Sequence, residues 1–350
     1  MSKKVCVAMS GGVDSSTTAG ILKESGFEVF GVFMKLWDSG KSDRGCCSLD
    51  DSNDALRVAN KLEIPFYVLN FKKEFKEYVV DYFVSEYQRG RTPNPCIMCN
   101  RSIKFDFLLK KAKTFGADYI ATGHYCKLEK VGDDFFLFKA ADKRKDQSYF
   151  LFNLDKPILK EILFPLGNFT KDQVRKKASE FKLVTAEKRE SQEICFIEKN
   201  YRDFLNEMGL KEKKGYIVDL KGRVLGTHKG YFNFTIGQRS GLNVAIGKPV
   251  YVSKIIPDEN LVIVGDDENL YRTTFLIENV NFFETPDFSK EYDIKIRYSH
   301  RGEKAKIKKK EDKEYLVEFT IPQRGITPGQ AAVIYDSDKL VGGGWIKEVF

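Results

Sequence analysis

The first 200 residues alternate short apolar runs with segments of helical periodicity. The apolar runs read KVCVAM, EVFGVFMKLW, PFYVLNF and DYIATGHY, and the segments between them include SSTTAGILKESG, DALRVANKLEI and FDFLLKKAKTFG. Strands that alternate with helices predict a parallel sheet with helices on both faces, and so an α/β fold. Ligands of such sheets bind beyond the carboxyl ends of the strands, so a site is expected there.

The pattern changes after residue 203. Residues 204–272 contain many glycine turns and predict a small linking domain, and residues 273–350 alternate as short β-strands do. Five or six such strands predict a small antiparallel β-barrel. The expected organisation is therefore a parallel-sheet domain over 1–203, a small β-rich domain over 204–272 and a barrel over 273–350.

Composition narrows the class of protein. The chain has 350 residues, of which 42% are hydrophobic, and a formal charge of +8, which is compatible with an RNA partner but does not require one. No apolar run is long enough to span a bilayer, and the five-residue run after the N-terminal lysines is typical of a buried strand. We therefore expect a cytosolic protein. An odd set of seven cysteines in that compartment argues for thiol or metal chemistry over a disulfide scaffold.

The segment SGGVDSS, Ser10 to Ser16, follows the first predicted strand and opens the first helix. Amide groups in such a glycine turn, together with a helix N-terminus, can bind an anion such as phosphate. Asp14 is unusual beside phosphate unless Mg²⁺ bridges the two or the carboxylate faces a nucleotide hydroxyl. The loop lacks the lysine of a standard P-loop. The alternative is an ordinary strand-to-helix turn.

A C-x-x-C pair, Cys96 and Cys99, lies in the segment GRTPNPCIMCNRSIKF just before a helical pattern. A helix N-terminus lowers the pKa of a thiol, and four basic residues nearby are expected to add to that effect: Arg89, Arg91, Arg101 and Lys104. The alternatives are half of a zinc site, although the chain has no second C-x-x-C, and inert thiols.

A third cysteine, Cys195, is isolated in a short apolar patch between charged stretches. Taken alone, such a residue is most often part of a core. Cys6 and Cys126 lie in predicted strands and are expected to be core residues, and Cys46 and Cys47 are expected to be structural.

Several motifs occur in one order along the chain: SGGVDSS, GRTPNPC..CN..IKF, ATGHY, KDQSYFL, SQEICFI and FTIGQR. Together they resemble the bacterial tRNA-specific 2-thiouridylases (MnmA family), which belong to the PP-loop ATP pyrophosphatase superfamily. The resemblance extends over essentially the whole chain. It implies a PP-loop, adenine nucleotide α-hydrolase-like catalytic domain over 1–203 and a tRNA-contacting barrel. It further implies ATP-dependent 2-thiolation of the wobble uridine in tRNAs for Lys, Glu and Gln.

The resemblance also implies roles for individual residues. The catalytic pair would be Cys195, which carries a persulfide, and Cys99, which attacks its inner sulfur. ATP, accompanied by Mg²⁺, would be bound by Ala8, Met9, Ser10, Gly11, Gly12, Val13, Asp14, Ser15, Met34 and Gly123. The tRNA would be contacted by Asn94, Pro95, Cys96, His124, Lys145, Asp146, Gln147, Arg297, Tyr298 and Gln330. A sulfur relay protein or cysteine desulfurase would supply the sulfur, and nothing demands more than a monomer.

One position departs from well-known members of the family, which have aspartate where this chain has Cys96. Three thiolates, on Cys96, Cys99 and Cys195, would be enough to hold a [4Fe–4S] cluster with one open iron that delivers sulfide. The sequence leaves this cluster route open beside the persulfide route. Two other classes of protein also remain: a PP-loop synthetase that adenylates a small molecule, and a non-catalytic RNA-binding module.

Overall fold

The structure is a computed structural model that describes residues 2–37, 49–189, 194–197 and 200–350. Its contacts divide the chain into two compact units. Unit 1 comprises Met1–Val80, Pro95–Glu198 and Asp338–Leu340, and unit 2 comprises Asp81–Asn94, Lys199–Ser337 and Val341–Phe350. The predicted domain boundaries after residues 203 and 272 stay predictions.

Unit 1 is built on a parallel sheet. Its strands in chain order are β1 (Lys4–Ala8), β2 (Glu28–Lys35), β3 (Phe66–Asn70), β4 (Tyr119–Ala121), β5 (Cys126–Val131), β6 (Asp134–Lys139) and β7 (Ile162–Leu163). The sheet order is β3-β2-β1-β4-β7, with every pair parallel, and β5 and β6 form an antiparallel hairpin. The predicted α/β fold is therefore confirmed.

Helices separate β1, β2, β3 and β4 from one another, as the sequence pattern predicts. In chain order the α-helices are α1 (Val13–Glu24), α2 (Leu49–Lys61), α3 (Lys72–Phe75), α4 (Asp81–Gln88), α5 (Pro95–Met98), α6 (Leu108–Thr114), α7 (Lys171–Glu180) and α8 (Tyr201–Glu207). Two π-helical segments, Lys76–Val80 and Cys99–Phe107, continue α3 and α5 without a break. A capping box between Thr170 and Gln173 starts α7. None of the described helices is both long and apolar enough to cross a membrane.

The strand order fixes where a ligand can bind in unit 1. The chain leaves β1 to form β2 and β3 on one side, and β4 lies on the other side of β1. This reversal is a topological switch point, and the crevice beyond it is the usual ligand site of an open parallel sheet. The core beneath it includes Val5, Val7 and Phe33, all nearly or fully buried.

Unit 2 contains two sheets. Its strands are β8 (Gly215–Val218), β9 (Val224–His228), β10 (Tyr251–Ile256), β11 (Leu261–Gly265), β12 (Tyr271–Phe282), β13 (Tyr292–Lys295), β14 (Glu303–Glu311), β15 (Glu314–Arg324), β16 (Ala331–Asp336) and β17 (Lys339–Val349). The first four form a sheet of order β10-β11-β8-β9. The last six follow the order β12-β15-β14-β13-β16-β17, and β17 pairs back with β12. The predicted antiparallel barrel is confirmed and has six strands.

Candidate functional site

A cavity of about 440 Å³ lies in unit 1 at the switch point of the sheet. Its wall includes most of the residues that the sequence predicts for ATP and for the catalytic cysteines. The predicted residues that line it are Ala8, Met9, Ser10, Asp14, Ser15, Met34, Pro95, Cys96, Cys99, Gly123, His124, Gln147 and Cys195. The phosphate loop and all three cysteines of interest therefore share one cavity.

The phosphate loop is shaped by hydrogen bonds among its own residues. The backbone N–H of Ser10 donates to Ser15 Oγ over 3.1 Å, and Ser16 Oγ donates to the Gly12 carbonyl over 2.8 Å. Gly12 is the N-cap of α1. Because glycine has no side chain to accept hydrogen bonds from the first amide groups of the helix, those amides are available for an anion.

Two glycines let backbone segments approach the loop closely. Gly11 has φ +74°, and a Cβ built on it would lie 2.2 Å from the Asp51 carbonyl oxygen. Gly123 follows the end of β4. A Cβ built on Gly123 would lie only 2.8 Å from backbone atoms of Asp14 and Ser15. Any side chain at either position would push the loop out of place.

Asp14 has partners that the sequence did not reveal. Lys171 Nζ donates to both carboxylate oxygens of Asp14 at 2.7 and 2.8 Å, and Tyr125 Oη donates to Oδ1 at 2.8 Å. The Lys171 side chain is only 9% exposed. The loop that lacks a P-loop lysine thus receives a lysine from α7, 157 residues later. The sequence shows that the loop itself lacks a lysine. No local pattern, however, indicates which distant lysine lies beside the loop in the fold.

The segment ahead of Cys195 is tied to α2. Lys188 Nζ donates to Asp51 and to Asp54 at 2.7 and 2.6 Å, and Arg175 donates to the carbonyls of Ala186 and Lys188. The Asp51 backbone also lies against the phosphate loop at Gly11. The start of α2 therefore contacts both the phosphate loop and the segment around Lys188.

Cys96 and Cys99 lie on one continuous helical stretch. Cys96 is in α5, and Cys99 is the first residue of the nine-residue π-helical segment Cys99–Phe107. Such wide turns occur often at functional sites because they change the direction in which neighbouring side chains point. Cys99 is 8% exposed, whereas Cys96 is accessible from the cavity.

The expectation that the thiol of Cys96 has a lowered pKa is wrong. The protein that surrounds this cavity residue raises the pKa of Cys96 to about 11, Cys195 raises it further, and Lys104 opposes them weakly. Three of the four basic residues are engaged elsewhere: Arg89 and Arg91 face Glu86, and Arg101 faces Asp155. Desolvation therefore outweighs the helix terminus, and Cys96 is a neutral thiol at pH 7.

Cys195 is half-buried in a short turn in which the Ile197 N–H donates to the Ile194 carbonyl. Its neighbour Phe196 is 4% exposed and makes ring contacts with Phe75 and Trp37 at 5.6 and 6.4 Å. Phe196 is therefore the residue of this apolar patch that packs into the core of unit 1, whereas Cys195 lines the cavity.

His124 is held from two sides. Its Nδ1 lies 2.7 Å from Thr122 Oγ1, and its ring contacts Phe105 and Phe164. Burial, followed by the positive charge of Lys104, holds the pKa of His124 well below its usual range. The ring is therefore neutral at pH 7 while it lines the cavity.

The segment KDQ has a structural role for two of its members. Asp146 is buried, and its carboxylate accepts hydrogen bonds from the Ala140 N–H and from Ser148. Gln147 Oε1 accepts from the Tyr125 N–H. Only Gln147 of the three lines the cavity, and Lys145 is half-exposed.

The other predicted tRNA contacts lie in unit 2. Gln330 Nε2 donates to the Thr92 carbonyl at 2.8 Å, which fixes the backbone two residues before Asn94. Arg297 Nη1 donates to the Arg324 carbonyl, and Tyr298 is exposed.

The other two described cysteines are core residues. Cys6 and Cys126 are fully buried in strands, as predicted, and burial raises the pKa of Cys6 to about 12. Cys46 and Cys47 lie outside the described residues. Within the described part of the chain, no three His, Cys, Asp or Glu side chains are gathered as metal ligands. Cys96, Cys99 and Cys195 line one cavity but are not gathered as such a set.

Comparisons with known proteins agree along the whole chain. Family models match in three consecutive parts: a tRNA methyl transferase HUP domain over residues 3–199, a tRNA methyl transferase PRC-barrel domain over 202–266 and an aminomethyltransferase beta-barrel domain over 272–346. The tRNA-specific 2-thiouridylase MnmA of Carboxydothermus hydrogenoformans is 49% identical over 99% of this chain and 98% of its own length. The enzyme of that name from Clostridium perfringens is 48% identical over 99% of both chains.

The chain belongs to the MnmA family of tRNA-specific 2-thiouridylases. The predicted family is thereby confirmed. The MnmA relatives align over nearly their full length, whereas the methyl transferase descriptions apply to single domains. The family relationship therefore rests on all three domains together.

We expect Gly11→Ala to weaken ATP binding by about tenfold or more, because a left-handed backbone and overlap with Asp51 would force the loop to move. Isothermal titration with ATP measures the effect. Gly132→Ala is the matched control, since Gly132 has φ +65° with open space around its Cβ. Equal losses in the two variants would contradict the steric argument.

Replacing Lys171 with methionine is expected to reduce the free energy of unfolding by about 2 kcal/mol. This is less than a fully buried pair would lose, because 29% of the Asp14 side chain is exposed. Urea denaturation measures the change, and the double variant with Asp14→Asn should recover part of it. Lys177→Met, which breaks an exposed pair with Glu24, is the control. Additive losses in the double variant would count against a direct interaction.

Alkylation of Cys96 by iodoacetamide should accelerate about tenfold per pH unit from pH 7 to 10, because only the thiolate reacts and the pKa is raised to about 11. Mass spectrometry of the peptide that carries Cys96 gives the rate at each pH. Free N-acetylcysteine, whose pKa is near that of an ordinary thiol, serves as the reference and should level off earlier. A plateau for Cys96 below pH 9 would disprove the raised pKa.

Proposed function

We propose that this protein uses ATP to replace the C2 oxygen of the wobble uridine, position 34 of tRNAs for Lys, Glu and Gln, with sulfur. The observation that carries the proposal is that one cavity is lined both by the phosphate loop and by Cys99 and Cys195. A reaction that first activates an oxygen with ATP and then replaces it with sulfur needs both elements at one place. The family of the chain supports the same reaction, because its relatives are named as 2-thiouridylases.

Activation comes first in this scheme. The C2 oxygen of uridine is a poor leaving group, so it attacks the α-phosphate of ATP, and pyrophosphate leaves. The phosphates would contact the amide groups at the start of α1 and the hydroxyl of Ser10, with Met34 and Gly123 as further contacts of the nucleotide. Mg²⁺ bound together with the phosphates would neutralise part of their charge. Because Asp14 is already paired with Lys171, we assign Mg²⁺ no protein ligand.

Sulfur transfer follows. A persulfide on Cys195, supplied by a relay protein or a desulfurase, attacks C2 through its terminal sulfur and releases AMP. The thiolate of Cys99 then attacks the Cys195 sulfur, and the sulfur–sulfur bond breaks with its electron pair on the transferred sulfur. The products are 2-thiouridine and a Cys99–Cys195 disulfide, which an external dithiol reduces.

The target base must leave the anticodon loop to reach these groups. We assign the surroundings of the base to Asn94, Pro95, Cys96 and the neutral ring of His124. Lys145, Asp146 and Gln147, and in unit 2 Arg297, Tyr298 and Gln330, remain proposed tRNA contacts. Since tRNA and ATP are substrates, we expect the protein to act in the cytosol.

Nucleoside mass spectrometry of tRNA tests the proposal in a bacterial host that lacks its own 2-thiouridylase. Expression of the chain should restore wobble 2-thiouridine. Cys99→Ser and Cys195→Ser should abolish it, because each removes one sulfur of the relay, yet both variants should still release pyrophosphate when purified protein is mixed with ATP and unmodified tRNA.

Cys96→Ser is the matched control three residues from Cys99, and in the persulfide route it should keep most of the thiolation. Loss of thiolation in Cys96→Ser to the level of the other two variants would revive a three-thiolate mechanism. Absence of tRNA-dependent pyrophosphate release from the unaltered chain would reject the proposed function outright.

A further inference from the structure

Lys104 lines the cavity of unit 1, and the proposed reaction assigns it no role. It lies in the same π-helical segment as Cys99, Cys99–Phe107, and is half-buried. The described residues of the cavity wall include one cation, Lys104, and one carboxylate, Asp14. Because Asp14 is already paired with Lys171, the positive charge of Lys104 is not balanced within that described wall.

A neutral partner holds the ammonium group of Lys104 in place. Its Nζ donates to Asn100 Oδ1 at 2.9 Å, and Asn100 Nδ2 donates in turn to the Phe150 carbonyl at 3.2 Å. Asn100 is only 2% exposed, so packing fixes this partner as well. Among the residues that the structure describes, no carboxylate forms an ion pair with Lys104. An ammonium group has three N–H donors, so two of them remain for an anion in the cavity.

The ammonium group lies on the side of the cavity that we assign to the target base. Burial is the main cause of the pKa shifts of Cys96 and His124, but the positive charge of Lys104 acts on both of these side chains. Lys104 therefore lies near both. The amide groups that we assign to the other phosphates are at the start of α1, so the cavity has a base side with a cation and a loop side without one.

Activation of the base places one phosphate between these two sides. When the C2 oxygen attacks the α-phosphate, the attacking oxygen and the leaving pyrophosphate lie roughly in line on opposite sides of the phosphorus. With pyrophosphate at the phosphate loop and the base beside Cys96 and His124, the α-phosphate faces Lys104. This phosphate is anionic before and after the transfer, and a partly buried cation that donates hydrogen bonds binds it strongly.

We propose that Lys104 binds the α-phosphate of ATP and keeps it bound after its transfer to the base. This role rests on the proposed function. In the step itself, the bond from the C2 oxygen to the α-phosphorus forms, and the bond to pyrophosphate breaks with its electron pair on pyrophosphate. The N3 proton of uridine passes to water, and Lys104 stays protonated throughout. Asn100 is a positioning residue, because it acts only through the ammonium group.

Binding of AMP to the full chain tests this role without turnover. Isothermal titration is carried out with excess pyrophosphate, which fills the phosphate loop and leaves the α-phosphate position open. Lys104→Met should weaken AMP binding about tenfold or more, because a charge-assisted hydrogen bond to the phosphate is lost. Adenosine, which has no phosphate, should bind equally well to both proteins, and so should pyrophosphate alone.

Two further variants separate the charge of Lys104 from its shape. Lys104→Arg keeps a cation and should bind AMP within about threefold of the unaltered chain. Lys104→Gln can still donate to Asn100 but has no charge, so it should lose as much AMP affinity as Lys104→Met. The matched control is Lys110→Met, which removes an exposed cation from α6 on the same helical stretch and should leave AMP binding unchanged. Thermal melting shows that each variant is folded.

Unchanged AMP affinity in Lys104→Met and Lys104→Gln would overturn the proposal, as would a lack of AMP binding by the unaltered chain. An equal loss of pyrophosphate binding would place Lys104 at the phosphate loop, and an equal loss of adenosine binding would show a structural role; either result also rejects it. Pyrophosphate release that depends on tRNA is measured separately. Its absence, together with AMP binding that depends on Lys104, would reject the proposed function and leave the α-phosphate site in place.

Discussion

The close contact between Gly123 and the backbone of Asp14 and Ser15 is the constraint on which the site depends. It exists because β1 and β4 are neighbours in the sheet and end at the same edge. The loop after β1 and the turn after β4 therefore form one surface, and no side chain fits between them. The cavity, the phosphate loop and the turn that carries His124 are all positioned by this contact.

The three cysteines that line the cavity have different surroundings. The protein packed around Cys96 and the neighbouring Cys195 raise the pKa of Cys96, so its thiol is neutral at pH 7 although it is accessible from the cavity. Cys99 begins a widened helical turn, and Cys195 is presented by a segment that Phe196 anchors in the core.

Much of this was predictable from the sequence because it depends on local pattern. The alternation of strands and helices predicts the parallel sheet of unit 1. The segments in which apolar and polar residues alternate predict the barrel. The pairing of Lys171 with Asp14 was not predictable, since it joins residues 157 positions apart through the fold. The shift of the Cys96 pKa was predicted with the wrong sign because desolvation in the cavity dominates it, while charges near in sequence, such as Arg89 and Arg91, pair with Glu86 instead. Motifs can be identified from the order of residues in the chain, whereas the desolvation of a side chain depends on the folded cavity around it.

The double attachment of Lys188 links two segments of unit 1 that are distant in the chain. Asp51 touches the phosphate loop with its backbone at Gly11 and holds Lys188 with its side chain. Because one residue makes both contacts, a substitution at Asp51 would disturb the phosphate loop and the segment around Lys188 together, although the two are far apart in the chain.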